Sequence, residues 1–214
     1  ALVATEDSRF YDHSGIDFFA LGRAIIKRGL FGQASAGGGS TITQQLAKQL
    51  YSEQAHNSLE RVFQKPIEWV IAVKLERNYT KEEIIALYLN YFDFLHNAVG
   101  IKTAANTYFN KEAKNLNVVE SAMLIGLCKN PSLFNPVRYP ERAKERRNVV
   151  LGQMEKAGYL THSEYEEYCD TPLTLDFHRT DHKDGEATYF REFLRQYMMA
   201  TKPDIANYPS WKRA

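Results

Sequence analysis

Apolar side chains recur every three or four positions through most of this 214-residue chain. In residues 16–31, for example, Phe18, Leu21 and Ile25 follow one another at these intervals. Such spacing brings apolar groups onto one side of an α-helix. Before Pro172, no run alternates apolar and polar residues in the manner of a half-buried strand. The sequence therefore predicts a mainly α fold.

Capping residues and prolines predict where several helices begin. Thr80 precedes an apolar-periodic run and has Glu83 three positions later, which is the pattern of a capping box. Pro66 suits the first turn of a helix running to Arg77, and Glu68 would then take a capping-box position. Further helices are predicted from Thr41 onward and over residues 118–128, 140–157 and 163–169.

The chain changes character after residue 171. Residues 173–177 alternate apolar and polar side chains, which predicts one short extended segment. The polar residues that follow contain no clear apolar period. Residues 171–214 are therefore interpreted as a linker.

Charge and cysteine content exclude several classes of function. The chain has 27 Lys and Arg against 26 Asp and Glu, a net charge of +1, so no overall positive field attracts nucleic acid. Cys128 and Cys169 form no Cys-x-x-Cys pair, which argues against a zinc ribbon or a dithiol redox centre. The chain also opens at Ala1 without a basic and apolar leader, so it is read as a piece of a longer protein.

Two adjacent acids near the start are candidates for acid–base chemistry. Glu6 and Asp7 lie close to aromatic residues that can partly desolvate a carboxyl group. The alternative is that both acids only stabilise the start of a helix. Glu68 has the same ambiguity, because acids are also common in the first turn. From the residues alone, neither alternative is decided.

Residues 37–48 combine three glycines with hydroxyl and amide side chains and end on Lys48. Glycines allow backbone amides to approach a ligand, and a helix N-terminus with a nearby cation favours an anion such as a sugar phosphate or pyrophosphate. Thr41 and Gln44 also fit a capping box, so the segment could equally be a flexible loop and an ordinary helix cap. The Gly-x-x-x-x-Gly-Lys phosphate loop and the Gly-x-Ser-x-Gly nucleophile elbow are both absent from the sequence.

Five segments occur in a fixed order along the chain. They are residues 6–15 (EDSRFYDHSG), 38–48 (GGSTITQQLAK), 64–68 (QKPIE), 81–90 (KEEIIALYLN) and 146–151 (RRNVVL). Together they resemble the five signature motifs of the peptidoglycan glycosyltransferase domain of class A penicillin-binding proteins, glycosyltransferase family 51. An ordered set of five motifs is far more specific than any one of them.

The resemblance implies a lysozyme-like, two-lobed helical domain over residues 1–170, with residues 16–36 as a small membrane-facing lobe. Residues 171–214 would then lead to a transpeptidase domain outside this sequence. The resemblance also implies a bacterial protein on the outer, periplasmic face of the cytoplasmic membrane, anchored by a transmembrane helix missing from this sequence. The partners it implies are lipid II, a lipid-linked glycan strand, the membrane surface and inhibitors of the moenomycin type.

The reaction implied is polymerisation of lipid II into β-1,4-linked glycan with inversion at MurNAc C1 and release of undecaprenyl pyrophosphate. A sugar hydroxyl is a poor nucleophile at neutral pH and needs a positioned base, for which Glu6 is the candidate. The departing pyrophosphate needs cations and amide donors, for which Lys48 and Lys65 are candidates. Glu68 matches the second acid of the family and is expected to help hold or release the pyrophosphate.

The substrate-binding residues implied by the resemblance share the first three motifs or lie beside them. They are Asp7, Phe10, His13, Gly39, Ser40, Thr41, Gln44, Gln45, Lys48, Arg61 and Lys65. No cofactor is required and no resident metal site is expected, although Mg²⁺ or Mn²⁺ could accompany the pyrophosphate.

Three positions depart from the family pattern. Gln64 replaces a usual arginine, Gln49 replaces a common asparagine, and residues 94–96 occupy a place where a glycine is often found. Two other functions therefore stay open: a lysozyme-like glycan hydrolase or lytic transglycosylase, and a catalytically silent membrane-docking module. The amide-rich segment 38–48 favours the transferase, because a hydrolase needs no pyrophosphate site.

Overall fold

The computed structural model describes residues 1–31, 39–51, 58–179 and 188–200. Within these ranges the regular structure is helical, apart from an isolated bridge between Asp93 and Val99, so the predicted mainly α class is confirmed. The chain divides into two compact units, residues 1–178 and 179–214. The helices are α1 (Leu2–Glu6), α2 (Phe18–Phe31), α3 (Ile42–Tyr51), α4 (Ser58–Asn78), α5 (Lys81–Tyr91), α6 (Ile101–Phe109), α7 (Val118–Leu127), α8 (Pro140–Lys156), α9 (His162–Asp170) and α10 (Thr188–Ala200).

The core of the first unit forms around α7 and α3. Helix α7 is buried along most of its length and packs extensively against α8. Helix α3 packs against both α4 and α5 and buries Ile42, Leu46 and Ala47 completely. Helix α1 contacts α8, which brings the first residues of the chain beside the fifth motif. The packing thus gathers the first, second and fifth motifs in one unit.

Local caps fix several helix starts where the sequence predicts them. Thr80 and Glu83 form the predicted capping box at α5. The Oδ1 atom of Asp17 accepts hydrogen bonds from the amides of Phe19 and Ala20 at the start of α2. The predicted helices over residues 118–128, 140–157 and 163–169 are confirmed as α7, α8 and α9, within one residue at each end.

The prediction that Pro66 begins a helix is wrong. Helix α4 runs from Ser58 to Asn78, and Pro66 lies inside it. A proline in a helix interior removes one backbone hydrogen bond but does not always end the helix, and the residues before Pro66 include good helix formers. Glu68 therefore occupies no capping-box position. It lies in the middle of α4 with 1% of its surface exposed.

Three helices were not predicted. Helix α1 has only five residues, too few to show an apolar period. Helix α6 has apolar residues at helical spacing, Ile101, Ala104, Ala105 and Tyr108, so its pattern was present in the sequence but was overlooked. Helix α6 follows Gly100, whose φ of +83° and close approach to the carbonyl oxygen of Asn90 leave no room for a Cβ atom. Helix α10 belongs to the second unit.

The segment predicted to be extended, residues 173–177, belongs to the first unit and packs on its core. The amides of Asp176 and His178 donate to the carbonyls of Tyr108 and Thr107, at 3.1 and 2.8 Å. Three alternate apolar residues contact the core: Leu173, Leu175 and Phe177. Residues 180–187 and 201–214 of the predicted linker lie outside the described residues, as do residues 32–36 of the predicted membrane-facing lobe.

Arg147 joins this segment to α8. Its side chain is fully buried, and its guanidinium donates to the carbonyls of Cys169 and Thr171 at 3.0 and 2.8 Å and to Oδ1 of Asn148. Among the described residues no carboxylate pairs with it, and burial lowers the pKa of this guanidinium. Charge-assisted hydrogen bonds therefore hold α9 and the following segment to α8.

We expect Arg147→Met to lower the free energy of unfolding by about 3 kcal/mol, because it leaves two buried carbonyls without donors. Chemical denaturation of the purified variant measures this loss. Arg142→Met is the matched control, since Arg142 is exposed on the same helix. Equal stability of the Arg147 variant and the wild type would show that water replaces the lost donors.

Candidate active site

Glu6 lies where three helices meet. It is the last residue of α1, and its Oε2 atom accepts a hydrogen bond from Nε2 of Gln45 on α3 at 3.1 Å. Its Oε1 atom lies 3.6 Å from Nη2 of Arg146 on α8. The side chain keeps 14% of its surface exposed. Glu6 is thus a carboxylate held by an amide and facing a cation, and its exposed part leaves room for a proton donor to reach it.

Tyr88 orients the amide of Gln45. The Tyr88 hydroxyl donates to Oε1 of Gln45 at 3.1 Å, which leaves the Nε2 side of the amide for Glu6. Burial, with the nearby Cys128 and Glu6, raises the pKa of Tyr88 far above its ordinary value, so the hydroxyl stays a donor. Burial also raises the pKa of the Cys128 thiol, which is free and stays protonated at neutral pH.

Asp7 connects the first motif to the second. Its carboxylate lies 3.0 Å from Nε2 of His13 and accepts a hydrogen bond from the amide of Ile42 at 3.1 Å. The Nδ1 atom of His13 accepts from the amide of Gly15, so the proton of the neutral ring is assigned to Nε2, which donates to Asp7. Asp7 therefore stabilises the start of α3 and holds the loop after Glu6.

Thr41, like Asp7, stabilises the start of α3. Its hydroxyl donates to the carbonyl of Gly15 at 2.7 Å and accepts from the amide of Gln44 at 3.1 Å. The second contact is the predicted N-terminal cap. Because Thr41 is buried, its hydroxyl is used for positioning the loop and the helix.

Glu76 completes the support of the first motif from α4. It accepts from the hydroxyl of Thr43 at 2.6 Å and forms an ion pair with Lys81 at 2.8 Å. Lys81 also donates to the carbonyl of His13 and lies over the ring of Phe10, 4.3 Å from its centroid. Phe10 is fully buried, so it acts on the site through the position of this loop.

A cavity of about 310 Å³ lies beside the start of α3 and is lined by residues of the second and third motifs. Within it, Nζ of Lys65 donates to the hydroxyl of Ser40 at 3.0 Å and pairs with Glu68 at 3.2 Å. Gly39 passes so close to α2 that a Cβ atom would lie 3.2 Å from Ala24. The lining residues are Leu21, Ala24, Gly39, Ser40, Gln44, Lys65 and Trp69.

Helix α3 links Glu6 to this cavity. Gln45 contacts Glu6, and its neighbour Gln44 lines the cavity. Lys48 is exposed and follows Gln44 by one turn, so the two residues share a face of the helix. The structure thus brings four predicted residues, Gly39, Ser40, Gln44 and Lys65, into one cavity. The side chain of Arg61 lies outside the described part, and Arg61 stays a prediction.

No role was predicted for the residues that hold Glu6, Gln45 and the first loop in place, which are Arg146, Tyr88, Glu76 and Lys81. Arg146 is 140 positions from Glu6, Tyr88 is 43 from Gln45, and Glu76 is 33 from Thr43. Three of the four, Arg146, Tyr88 and Lys81, lie within motif segments, which was the one sequence signal that pointed to them. Among the described residues no group of three or more His, Cys, Asp or Glu side chains could hold a metal ion.

Comparison with known proteins connects this site to a family. The family model described as Transglycosylase matches residues 1–155. Similar proteins include penicillin-binding protein 1F of Bacillus subtilis, 43% identical over 77% of this chain and 22% of that protein. Penicillin-binding proteins 1A of Aquifex aeolicus and Escherichia coli are 40% and 39% identical over 96% and 92% of this chain. The chain spans about a quarter of the length of these relatives.

A solved structure is also similar. The crystal structure of penicillin-binding protein 1A from Haemophilus influenzae is 27% identical, covers 74% of this chain and 19% of its own, and has a TM-score of 0.46. The family match and the helical elements agree with the fold class expected from the sequence, a lysozyme-like, mainly α domain. No helix in the described ranges is long and apolar enough to cross a membrane.

Proposed function

We propose that this chain, which belongs to the transglycosylase family, is a peptidoglycan glycosyltransferase that polymerises lipid II. One observation supports this most strongly. On helix α3, Gln45 holds the partly exposed carboxylate of Glu6, and the next residue, Gln44, lines a cavity. The same cavity contains the cation of Lys65 and the hydroxyl of Ser40. Glycosyl transfer from a lipid pyrophosphate needs both a base and an anion-stabilising site.

Glu6 is proposed as the general base. The 4-hydroxyl of the acceptor GlcNAc attacks C1 of the donor MurNAc from the face opposite the pyrophosphate, and its proton passes to the Glu6 carboxylate. The new C–O bond forms as the bond from C1 to the pyrophosphate oxygen breaks, which inverts the anomeric centre. Gln45 orients the carboxylate by donating to one of its oxygens. The 14% of the Glu6 side chain that stays exposed gives the hydroxyl access.

Lys65 is proposed to stabilise the pyrophosphate as it leaves. Its ammonium group reaches Ser40 at 3.0 Å in the cavity, where the amide of Gln44 supplies another donor. A fixed cation in a partly enclosed cavity stabilises developing negative charge more than it would in water. Lys48 adds an exposed positive charge on the adjoining face of α3.

Glu68 is proposed to act through Lys65. With 1% of its surface exposed and its carboxylate 3.2 Å from the Lys65 ammonium, it fixes the direction of that cation. A divalent ion held by Glu68 would have to displace Lys65, so the described residues do not fit a resident metal there. No step of the proposed reaction uses a metal ion.

Helix α2 is proposed to face the membrane. Phe18, Phe19 and Ile26 are exposed on this helix, and Arg23 is exposed with them. Exposed apolar groups next to a cation suit the boundary between lipid headgroups and acyl chains. Leu21 and Ala24 of the same helix line the cavity, so a lipid-linked substrate could enter it from the membrane surface. We therefore place the protein on the outer face of the bacterial cytoplasmic membrane.

The surroundings of Glu6 favour the transferase over a hydrolase. Inverting glycosidases use two carboxyl groups on opposite sides of the scissile bond. The described partners of Glu6 are Gln45 and Arg146, and the adjacent Asp7 is buried and already bonded to His13 and Ile42. Asp7 is therefore engaged in holding the loop and the start of α3 and is not available as the second carboxyl group of a hydrolase.

Incubation of the chain with lipid II in detergent or liposomes tests this function. We expect polymeric glycan and released undecaprenyl pyrophosphate. Finished glycan strands serve as the parallel substrate, because a hydrolase or lytic enzyme would shorten them. Cleavage of these strands without polymer formation would replace the proposal by the hydrolase, and no turnover in either assay would favour the silent docking module.

A further inference from the structure

Arg146 is the one cation that forms an ion pair with Glu6 among the described residues. Its Nη2 atom lies 3.6 Å from Oε1 of Glu6, and both side chains are 14% exposed. An N–O separation of 3.6 Å is too long for a hydrogen bond but short enough for strong attraction in a poorly hydrated site. The pair therefore attracts the carboxylate toward Arg146 without filling the lone pairs that a sugar hydroxyl would use.

The side chain of Arg146 packs against Phe134 and Gly126. Its guanidinium lies over the ring of Phe134, 5.8 Å from the centroid. Its Cγ atom passes over Gly126 on α7, where a Cβ atom would approach it to 3.2 Å. Its Nε atom is buried and has no hydrogen-bond partner in the described structure. A buried donor without a partner costs free energy, so packing and the attraction to Glu6 must offset that cost.

We infer that Arg146 is a positioning residue for the base: it holds the Glu6 carboxylate aimed at the acceptor hydroxyl. This inference rests on the proposed function, in which Glu6 takes the proton. Among the groups near Glu6, Tyr88 and Cys128 are neutral because burial raises the pKa of each, and the carboxylate of the adjacent Asp7 is bonded to His13 and Ile42. Arg146 thus supplies the positive charge that these neutral groups do not.

The Arg146→Met variant tests the inference, because loss of a positioning residue should lower kcat and leave KM nearly unchanged. We expect kcat for lipid II polymerisation to fall about 10- to 100-fold, because loss of orientation at a reacting group has effects of this size. The KM for lipid II should stay within about 2-fold, since Arg146 is not a lining residue of the cavity. Arg146→Lys should recover most of the lost rate, and Arg142→Met on the same helix should behave as wild type.

Two further variants separate this role from a structural one. Gly126→Ala keeps the cation but displaces its stem, and we expect a drop of several-fold in kcat at an unchanged melting temperature. Glu6→Gln combined with Arg146→Met should be no slower than Glu6→Gln alone, because Arg146 acts through Glu6. A further loss in the double variant, or a loss confined to KM, would overturn the inference.

The same series distinguishes failure of this inference from failure of the proposed base. An inactive Glu6→Gln variant together with a fully active Arg146→Met variant removes only Arg146 from the mechanism. An active Glu6→Gln variant removes Glu6 as the base, and the role of Arg146 with it.

Discussion

Glu6→Gln is expected to reduce polymerisation of lipid II by about 10³- to 10⁴-fold while leaving the fold intact. Glutamine keeps the shape and polarity of glutamate but cannot take a proton from the acceptor hydroxyl, and removal of a general base has effects of this order. The fold should survive because Glu6 lies at a helix end and keeps part of its surface exposed. Release of undecaprenyl pyrophosphate from lipid II, followed over time, measures the rate.

The control for this variant is Glu82→Gln, which removes an exposed carboxylate from the first turn of α5. It should polymerise lipid II at the wild-type rate. Circular dichroism and the melting temperature check that Glu6→Gln is folded. A folded Glu6→Gln variant with a rate within 10-fold of wild type would assign the base to another residue.

Short-range features of the fold were predictable from the sequence. Thr80 and Glu83 are three positions apart, and the capping box depends on nothing beyond the first turn of α5. The prediction of a helix start at Pro66 failed, because proline is favoured in the first turn of a helix but is also tolerated inside one. Helix α6 was overlooked although Ala104, Ala105 and Tyr108 recur at helical spacing, so this helix was predictable from the sequence.

The connections within the candidate site were not predictable from spacing or composition. Glu6 and Gln45 are 39 positions apart, and Asp7 and Ile42 are 35 apart. Arg146 is distant from Glu6 in the sequence but contacts it because α1 packs on α8. Motif resemblance could name most of these residues, but only tertiary packing determines which of them touch. Tertiary packing also determines that Phe10 is buried, whereas Ser40 and Lys65 line the cavity.

Lys65→Ala should lower the rate of polymerisation by about 10²- to 10³-fold, the range found when a fixed donor to developing negative charge is removed. This loss is expected because the ammonium group is held in a fixed position in the cavity, 3.0 Å from the hydroxyl of Ser40 and 3.2 Å from the carboxylate of Glu68. Removal of the lysine also leaves the buried Glu68 carboxylate without this cation, so a moderate loss of stability is expected as well. The melting temperature and the rate should therefore both be measured.

A second substitution separates these two effects. Lys65→Ala combined with Glu68→Gln also removes the buried negative charge that Lys65 faces, so part of the lost stability should return while polymerisation stays slow. Lys74→Ala is the control for α4, since Lys74 is exposed on the same helix and should keep the wild-type rate. Added pyrophosphate should inhibit the wild type and the Lys74 variant more strongly than Lys65→Ala, because the cation that would bind it is gone. If the double variant regained both stability and activity, Lys65 would serve only to neutralise Glu68, and the anion site would have to depend on Lys48 instead.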